Sequence, residues 1–297
     1  MISKLEPLFQ KAASCQDAYI SVAVAQDAHV LEAAYEATKR GFAKFILVGD
    51  VPEITRIAKQ YQTPLSDFEL VHEPDPKLAC RAAVTFVSEG KATALMKGLV
   101  DTSEVMKAAL DKEIGMRTGR KLSHLAAFDL QAYHKLLFVT DAAINIAPDM
   151  ETKKEIIQNA VDAVRNLGLK CPKVALLAAK EKPDEKMPVT LEYATLVNLW
   201  KDGLIPGCVL DGPLALDNAV SKESIAIKGI VSEVGGDADI LMCPDIEAGN
   251  ILYKSLAFLA NARNGGVVVG AKRPIILTSR ADSCESKLIS IALGVLF

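Results

Sequence analysis

The chain has 297 residues, of which 50% are hydrophobic and 24% charged, with a formal net charge of −3. That length exceeds the usual single domain, so two domains are expected. No Lys/Arg run interleaves with aromatics, which argues against a nucleic-acid partner. No stretch approaches the roughly 18 uncharged apolar residues of a membrane span, so no membrane partner is expected.

Aromatic residues make up only 5%, so the core must be built from Ala, Val, Ile and Leu. The first residues show no signal-peptide pattern, and a cytoplasmic location is expected. In chain order, the pattern predicts a helix at 30–40, a strand at 43–48, a helix at 76–87 and a strand at 92–96. It continues with a helix at 104–110, strands at 122–128 and 135–140, and a helix at 151–167. In that last helix Ile156, Ile157, Ala160, Val161 and Val164 form one apolar stripe. Strands follow at 174–178, 208–210, 238–242, 267–269 and 274–277, and a final helix spans about 283–293. This alternation implies a parallel sheet with helices on both faces. The polar, proline-broken segment 180–188 reads as a surface loop.

No Gly/Ser/Pro-rich linker divides the chain, which suggests that strands cross between two domains. The adjacent strands at 122–128 and 135–140 are the best candidates for that crossing. Six cysteines (15, 80, 171, 208, 243 and 284) form no CxxC pair and have no metal-ligand spacing to a histidine. They read as reduced, inert thiols, with Cys284 set apart by its place beside the last motif.

The chemistry is concentrated at strand ends, where open α/β sheets bind ligands. The last strand leads into Thr278-Ser279-Arg280-Ala281-Asp282-Ser283 and a helix. A hydroxyl, a fixed cation, a carboxylate and the free amides of a helix N-terminus thus meet in one junction suited to an anion. Thr278 and Ser279 also fit a simple helix cap. Strand 92–96 ends in Lys97-Gly98, followed by Asp101-Thr102-Ser103. There Gly98 permits close backbone approach, Lys97 can meet a phosphate, and Thr102 or Ser103 can cap the next helix. Arg117-Thr118-Gly119-Arg120-Lys121 gathers three cations ahead of a strand, and also fits a solvated loop. Asp141, Asp211 and Asp245 each follow a predicted strand, with Asn145, Asp217 and Asn250 nearby. Each alone fits a turn or a cap; their repetition points to a shared cleft. The acids are spread over separate loops without a D-x-D pair, so no metal site is expected. No dinucleotide fingerprint, P-loop or G-x-S-x-G elbow occurs.

Taken together, Lys97-Gly98…Asp101-Thr102, Asp141-Ala142-Ala143-Ile144-Asn145, Asp211-Gly212-Pro213-Leu214…Asp217, Pro244-Asp245…Gly249-Asn250 and Ser279-Arg280 resemble the phosphate acetyl/butyryltransferases. The Lys97-Gly98 turn and the Ser279–Ser283 run place the chain nearer the phosphate butyryltransferase (branched-chain phosphotransacylase) branch. The resemblance implies two α/β domains, rich in parallel sheet, with the isocitrate/isopropylmalate dehydrogenase-like architecture and an interdomain cleft. The first domain would comprise 1–130 and 266–297, and the second 131–265. It also implies interconversion of acyl-CoA plus inorganic phosphate with acyl phosphate plus CoA by direct thiolate attack, with butyryl or branched short acyl chains. CoA and acyl-CoA would be substrates, with no tightly bound cofactor and no metal, and the chain would form a homodimer. Ser279 would stabilise the intermediate and Arg280 would hold phosphate. Lys97, Gly98, Thr102, Arg117, Arg120, Asp141, Asn145, Asp211 and Asn250 would line the substrates. In one respect the sequence departs from the acetyltransferase pattern. Where that pattern has an Asp seven residues after the serine, as the thiol's base, this chain has Ser286. Asp282, Glu285 and Asp211 are possible substitutes, with Asp282 first because it lies beside Ser279 and Arg280. Three other readings remain: phosphate acetyltransferase with acetyl-CoA, a non-catalytic acyl-CoA or acyl-phosphate binding protein, and a metal- and NAD-dependent dehydrogenase of the same fold.

Overall fold

The computed structural model describes residues 4–15, 17–278 and 282–297. In chain order the elements are α1 (Leu5–Ala13), β1 (Tyr19–Ala23), α2 (Ala28–Lys39), β2 (Lys44–Gly49), α3 (Val51–Gln60), β3 (Phe68–His72), α4 (Pro76–Ser88), β4 (Ala94–Lys97) and α5 (Thr102–Ala109). Next come β5 (Ser123–Asp129), β6 (Leu137–Thr140), α6 (Met150–Asn166), β7 (Lys173–Leu177), α7 (Pro188–Lys201), β8 (Val209–Leu214), α8 (Leu216–Val220), α9 (Lys222–Lys228) and β9 (Ile240–Met242). The chain closes with α10 (Ile246–Lys254), a π-helical turn (Ser255–Leu259), β10 (Arg263–Val269), β11 (Ile275–Ile276) and α11 (Cys284–Leu296).

Local chemistry starts these helices. Asp27, Asp50, Asp75 and Asp149 each sit at an N-cap and accept a backbone N–H from the first turn of α2, α3, α4 and α6. Pro76 opens α4 at a position where its missing N–H would have been unpaired anyway.

The chain divides into two compact units. One holds Glu6–Arg120 and Gly265–Phe297. Its strands run in the order β3-β2-β1-β4-β11-β10. All its pairings are parallel except β10 with β11. Val22, Leu47 and Leu95 are fully buried along these strands, and α11 contributes the buried residues Leu288, Ile289, Ile291 and Leu293. The other unit holds Lys121–Asn264 with the start of the chain through Leu5. Its order is β5-β6-β9-β7-β8, parallel except for β5 with β6. Its core includes Phe128, Leu137, Val139, Ala175, Leu241 and Cys243.

Two features differ from the sequence expectation. The crossings fall at Arg120/Lys121 and Asn264/Gly265, and strands β5 and β6 lie together in one unit rather than bridging two. The β5–β6 and β10–β11 pairs are antiparallel because their connections are too short for a crossover, which takes a dozen or more residues.

Candidate active site

In the unit containing β4, Met96 pairs with Ile276 of the parallel neighbour β11. Lys97-Gly98 and Leu277-Thr278 therefore leave the sheet side by side at its carboxyl edge. Gly98 sits where a Cβ would lie 2.1 Å from the Val24 carbonyl oxygen and 2.7 Å from that of Ala23. Only glycine fits this approach. Its N–H donates to Ala23 O at 2.9 Å, and Leu99 N donates to Val24 O at 2.7 Å. Lys97 is 8% exposed, and its amine donates to the carbonyls of Gly98 (3.3 Å) and Val100 (3.1 Å). The ammonium thus holds its own turn. Thr102 is not a cap: Asp101 takes the N-cap position, with no side-chain cap bond, and Thr102 opens α5.

Ser279 and Arg280, the leading sequence candidates, lie outside the described residues. Beyond them, the cap of α11 is Ser283, whose hydroxyl accepts from Ser286 N at 3.1 Å and donates to the Ser286 hydroxyl at 3.1 Å. Ser286, at the position of the missing acid, thus belongs to the cap. The carbonyl of Asp282 accepts from the Lys287 amine at 2.6 Å, and Lys287 is only 2% exposed. Sequence reasoning passed over Lys287. Its signal was a lone lysine in α11, directly ahead of the apolar run Leu288–Leu296. Cys284 is partly buried, and burial, followed by the charges of Glu32 and Glu36, pushes its thiol up. Burial raises the Cys80 thiol to about 11, and Cys208 and Cys243 to about 12. All six cysteines are free, and Cys171 is exposed.

In the same unit the Arg117–Arg120 loop is tied to the turn between β10 and β11. The Thr118 hydroxyl donates to Gly270 O at 2.5 Å, and Lys272 N donates to Met116 O at 2.8 Å.

In the other unit β6 and β9 pair as parallel neighbours, Thr140 opposite Met242. Asp141 and Asp245 therefore share one carboxyl edge. Asp141 is 3% exposed. One of its oxygens accepts from Ala143 N (2.9 Å) and Ile144 N (3.0 Å). The other accepts from Asn145 N (3.1 Å) and Asn145 Nδ2 (2.6 Å). Asn145 Nδ2 also donates to Leu122 O at 2.8 Å. Across from this knot Asp245 caps α10 by accepting from Ala248 N at 2.8 Å. Gly249 sits where a Cβ would lie 2.2 Å from Asp141 O, and Asn250 Nδ2 donates to Ala142 O at 3.1 Å. The structure thus brings Asp141, Asn145 and Asn250 into one assembly, with Asp245 and Gly249 as its supports.

Asp211 is a correction. It lies inside β8, opposite Ala175, rather than past a strand end. Gly212-Pro213 reads as a strand terminator. β8 is nevertheless the last strand of its order, where proline is tolerated. Its carboxylate accepts from Gly212 N at 2.8 Å and from the Ser232 hydroxyl. Among the described residues, no group of three or more His, Cys, Asp or Glu is arranged to hold a metal ion.

Open α/β sheets bind ligands outside the carboxyl ends of their strands, and the turns after β4, β6 and β9 lie at such ends. The chain is a member of the phosphate acetyl/butaryl transferase family, whose pattern matches residues 3–79 and 76–295. It is 46% identical over 296 residues to a phosphate butyryltransferase of Clostridium acetobutylicum, covering 100% of this chain and 98% of that one. The crystal structure of a branched-chain phosphotransacylase from Enterococcus faecalis superposes with a TM-score of 0.84 at 35% identity, covering 93% of this chain and 97% of that one. A 4-hydroxythreonine-4-phosphate dehydrogenase from Klebsiella pneumoniae superposes with a TM-score of 0.60 at 14% identity over 94% of this chain and 98% of that one, which shows a common fold alone.

Proposed function

We propose that this chain is a phosphate acyltransferase that interconverts acyl-CoA plus inorganic phosphate with acyl phosphate plus CoA, acting on butyryl or branched short acyl chains. The observation that carries this reading is the 46% identity, over 296 residues, with the Clostridium phosphate butyryltransferase, joined to Lys97-Gly98 and Thr278 emerging beside each other at one sheet edge. In the direction of acyl-CoA synthesis, the CoA thiolate attacks the carbonyl carbon of the acyl phosphate. A C–S bond forms, the carbonyl electrons move to oxygen, and the intermediate collapses with cleavage of the C–O bond to phosphate. The Ser279 hydroxyl donates to the developing oxyanion. The Arg280 guanidinium holds the departing phosphate through two parallel bonds, which suits Arg better than Lys. A free thiol has a pKa near ~8.5, so a carboxylate nearby assists by taking the proton as attack proceeds. Asp282 is the proposed base. Asp211 is disfavoured, since its carboxylate is already engaged within β8 and by Ser232. The Asp141–Asn145–Asn250 assembly positions the turn that meets substrate. A cytoplasmic homodimer belongs to the same reading; no helix among the described residues is long and apolar enough to cross a membrane.

The test is to mix butyryl-CoA with phosphate and follow free thiol, then repeat with acetyl-, isobutyryl- and valeryl-CoA. Turnover that depends on phosphate, with butyryl or branched chains preferred, supports the reading. A preference for acetyl-CoA assigns the acetyl reaction instead, and binding without turnover assigns a carrier role. On the same assay Ser279→Ala should lower kcat by roughly 10²–10³, and Arg280→Lys should raise the phosphate KM by about tenfold or more. Unchanged constants would remove the residue concerned from the site.

A further inference from the structure

A cavity of about 470 Å³ opens at the end of β5, lined by Lys4, Asp129, Gln131, Ala260, Asn261 and Arg263. All six residues belong to the same compact unit. β5 runs antiparallel to β6 with Phe128 opposite Leu137, so Asp129 stands beside the start of β6. The turn that carries Asp141 leaves the other end of that strand. Within its unit the cavity is therefore separate from the Asp141–Asn145–Asn250 assembly. Its volume lies in the range of small-molecule sites, roughly 300–1,000 Å³.

The walls are held by bonds of their own. The Lys4 ammonium donates to Asp129 Oδ1 at 2.8 Å and to the carbonyls of Leu130 and Tyr133 at 3.2 Å each. Its three donors are thereby spent. The other Asp129 oxygen accepts from Leu5 N at 3.4 Å. On the second wall, Ala260 N donates to Ser255 O and Ala262 N to Leu256 O, both at 3.0 Å. Between them Asn261 is held at φ +50°, a left-handed conformation that Asn adopts more readily than most residues. A site whose walls are already ordered spends little of a ligand's affinity on ordering them.

The lining has two cations, Lys4 and Arg263, and one carboxylate, Asp129. That balance suits a monoanion, and the Asp129 carboxylate disfavours a doubly charged phosphate. The planar fork of Arg263 matches the two oxygens of a carboxylate. Gln131 and Asn261 are exposed at the rim, and each amide offers donors and an acceptor, the complement of a hydroxyl. We propose that this cavity is a binding site for a small 2-hydroxy carboxylate, with its carboxylate on Arg263 and its hydroxyl on the Gln131 and Asn261 amides. Neither the cavity nor its lining enters the acyltransferase reading, and the assignment stands or falls apart from it.

The experiment is a ligand-observed NMR titration of the full chain with 2-hydroxybutyrate, and with butyrate beside it, on wild type, Arg263→Gln, Gln131→Glu and Asn261→Gly. Melting temperatures confirm that each variant is folded. Wild type should bind 2-hydroxybutyrate several-fold more tightly than butyrate, and sulfate should fail to displace it. Arg263→Gln should weaken binding about tenfold, the worth of one charge-assisted contact. Gln131→Glu keeps Arg263 and changes only an exposed side chain, so it tests the site even if Arg263→Gln does not fold. Its added carboxylate should repel the probe and weaken binding about fivefold or more. Asn261→Gly keeps the left-handed backbone and removes only the amide, and should narrow the preference for the hydroxy acid over butyrate. The assignment is overturned if wild type does not bind the probe, binds butyrate equally well, or releases the probe to sulfate as a general anion site would. It is equally overturned if the folded variants bind as wild type does, because the probe is then seated elsewhere on the chain.

Discussion

Asp141→Asn separates a residue that builds the site from one that acts in the reaction. The carboxylate is almost fully buried and accepts four hydrogen bonds, two on each oxygen, between 2.6 and 3.1 Å. An amide keeps the shape but turns one oxygen into a donor. Whichever way it points, two N–H groups lose their acceptor and face another N–H. Hydrogen bonds to a charged group contribute ~1.5–3 kcal/mol each. Burying a neutral amide is easier than burying a carboxylate, so the net loss should be about 2–4 kcal/mol. For a unit of this size, that corresponds to roughly 5–15 °C in Tm. The assay is thermal unfolding followed by circular dichroism, with kcat measured on the same sample well below the transition. A large Tm drop with kcat within about tenfold of wild type is expected, because the turn is still formed in the folded fraction. A Tm within ~2 °C of wild type together with a kcat more than ~100-fold lower would refute the reasoning. The carboxylate would then be acting on the reacting molecules rather than on its own loop.

Gly98→Ala should lower stability by at least ~2 kcal/mol and impair activity, because the new methyl meets fixed backbone oxygens rather than a yielding side chain; a wild-type Tm and wild-type KM values would contradict this. Asp237 supplies the pH dependence. Burial pushes its carboxyl up, but the bonds from Lys173 (2.7 Å), His134 (2.8 Å) and Lys135 (3.1 Å) outweigh that and hold it well below the ordinary range. A depressed carboxyl stabilises the fold above its unfolded pKa near ~3.9, and that stabilisation is lost as pH falls through the folded value. Asp237→Asn should therefore cost about 1–3 kcal/mol at pH 7, and the gap from wild type should shrink as pH is lowered below about 4; urea denaturation at a series of pH values would show a constant gap if the reasoning is wrong.

Much of the fold could be read from period and punctuation. The 150s helix was legible because its apolar stripe recurs at helical spacing and Asp149 stands at its cap. β4, β6 and β9 were legible because strands buried on both faces read as unbroken apolar runs. What escaped has physical causes. β1 (Tyr19–Ala23) includes a buried polar Ser21, and β3 (Phe68–His72) carries Glu69 and His72 at the edge of its order, so neither gives a clean run. β8 was cut short at Asp211 because Gly-Pro is a turn signal everywhere except at an edge strand. The antiparallel pairing of β5 with β6 was implicit in the short stretch between them, but periodicity alone says nothing of direction. At the candidate site, the turns singled out in the sequence do not disclose what their side chains do. It took hydrogen-bond geometry to show that the Lys97 ammonium is bound to its own loop carbonyls. Only the burial of Lys287 separates it from an ordinary surface lysine.

The three acids that stood out at or near strand ends show why residue type and position underdetermine role. An acid after a strand can act on a ligand, cap the next helix or close its own turn, and all three uses favour the same residue at the same place. Here Asp245 caps α10, Asp141 closes its own turn, and Asp211 braces the strand it belongs to through Gly212 and Ser232. Each spends at least one carboxylate oxygen on the scaffold. A general base needs an oxygen with room for a proton along the line of attack, and a carboxylate accepting four bonds within its own turn has little to give. This weighs against Asp141 and Asp211 as the thiol's base in the proposed reaction. Ser286 is absorbed in the cap of α11, and the backbone carbonyl of Asp282 accepts from the Lys287 amine. The anchored turns then have a different task. They hold the Asn145 and Asn250 amides and the backbone at Gly249 at fixed positions, which in the proposed reaction would leave little ordering to be done when substrate arrives.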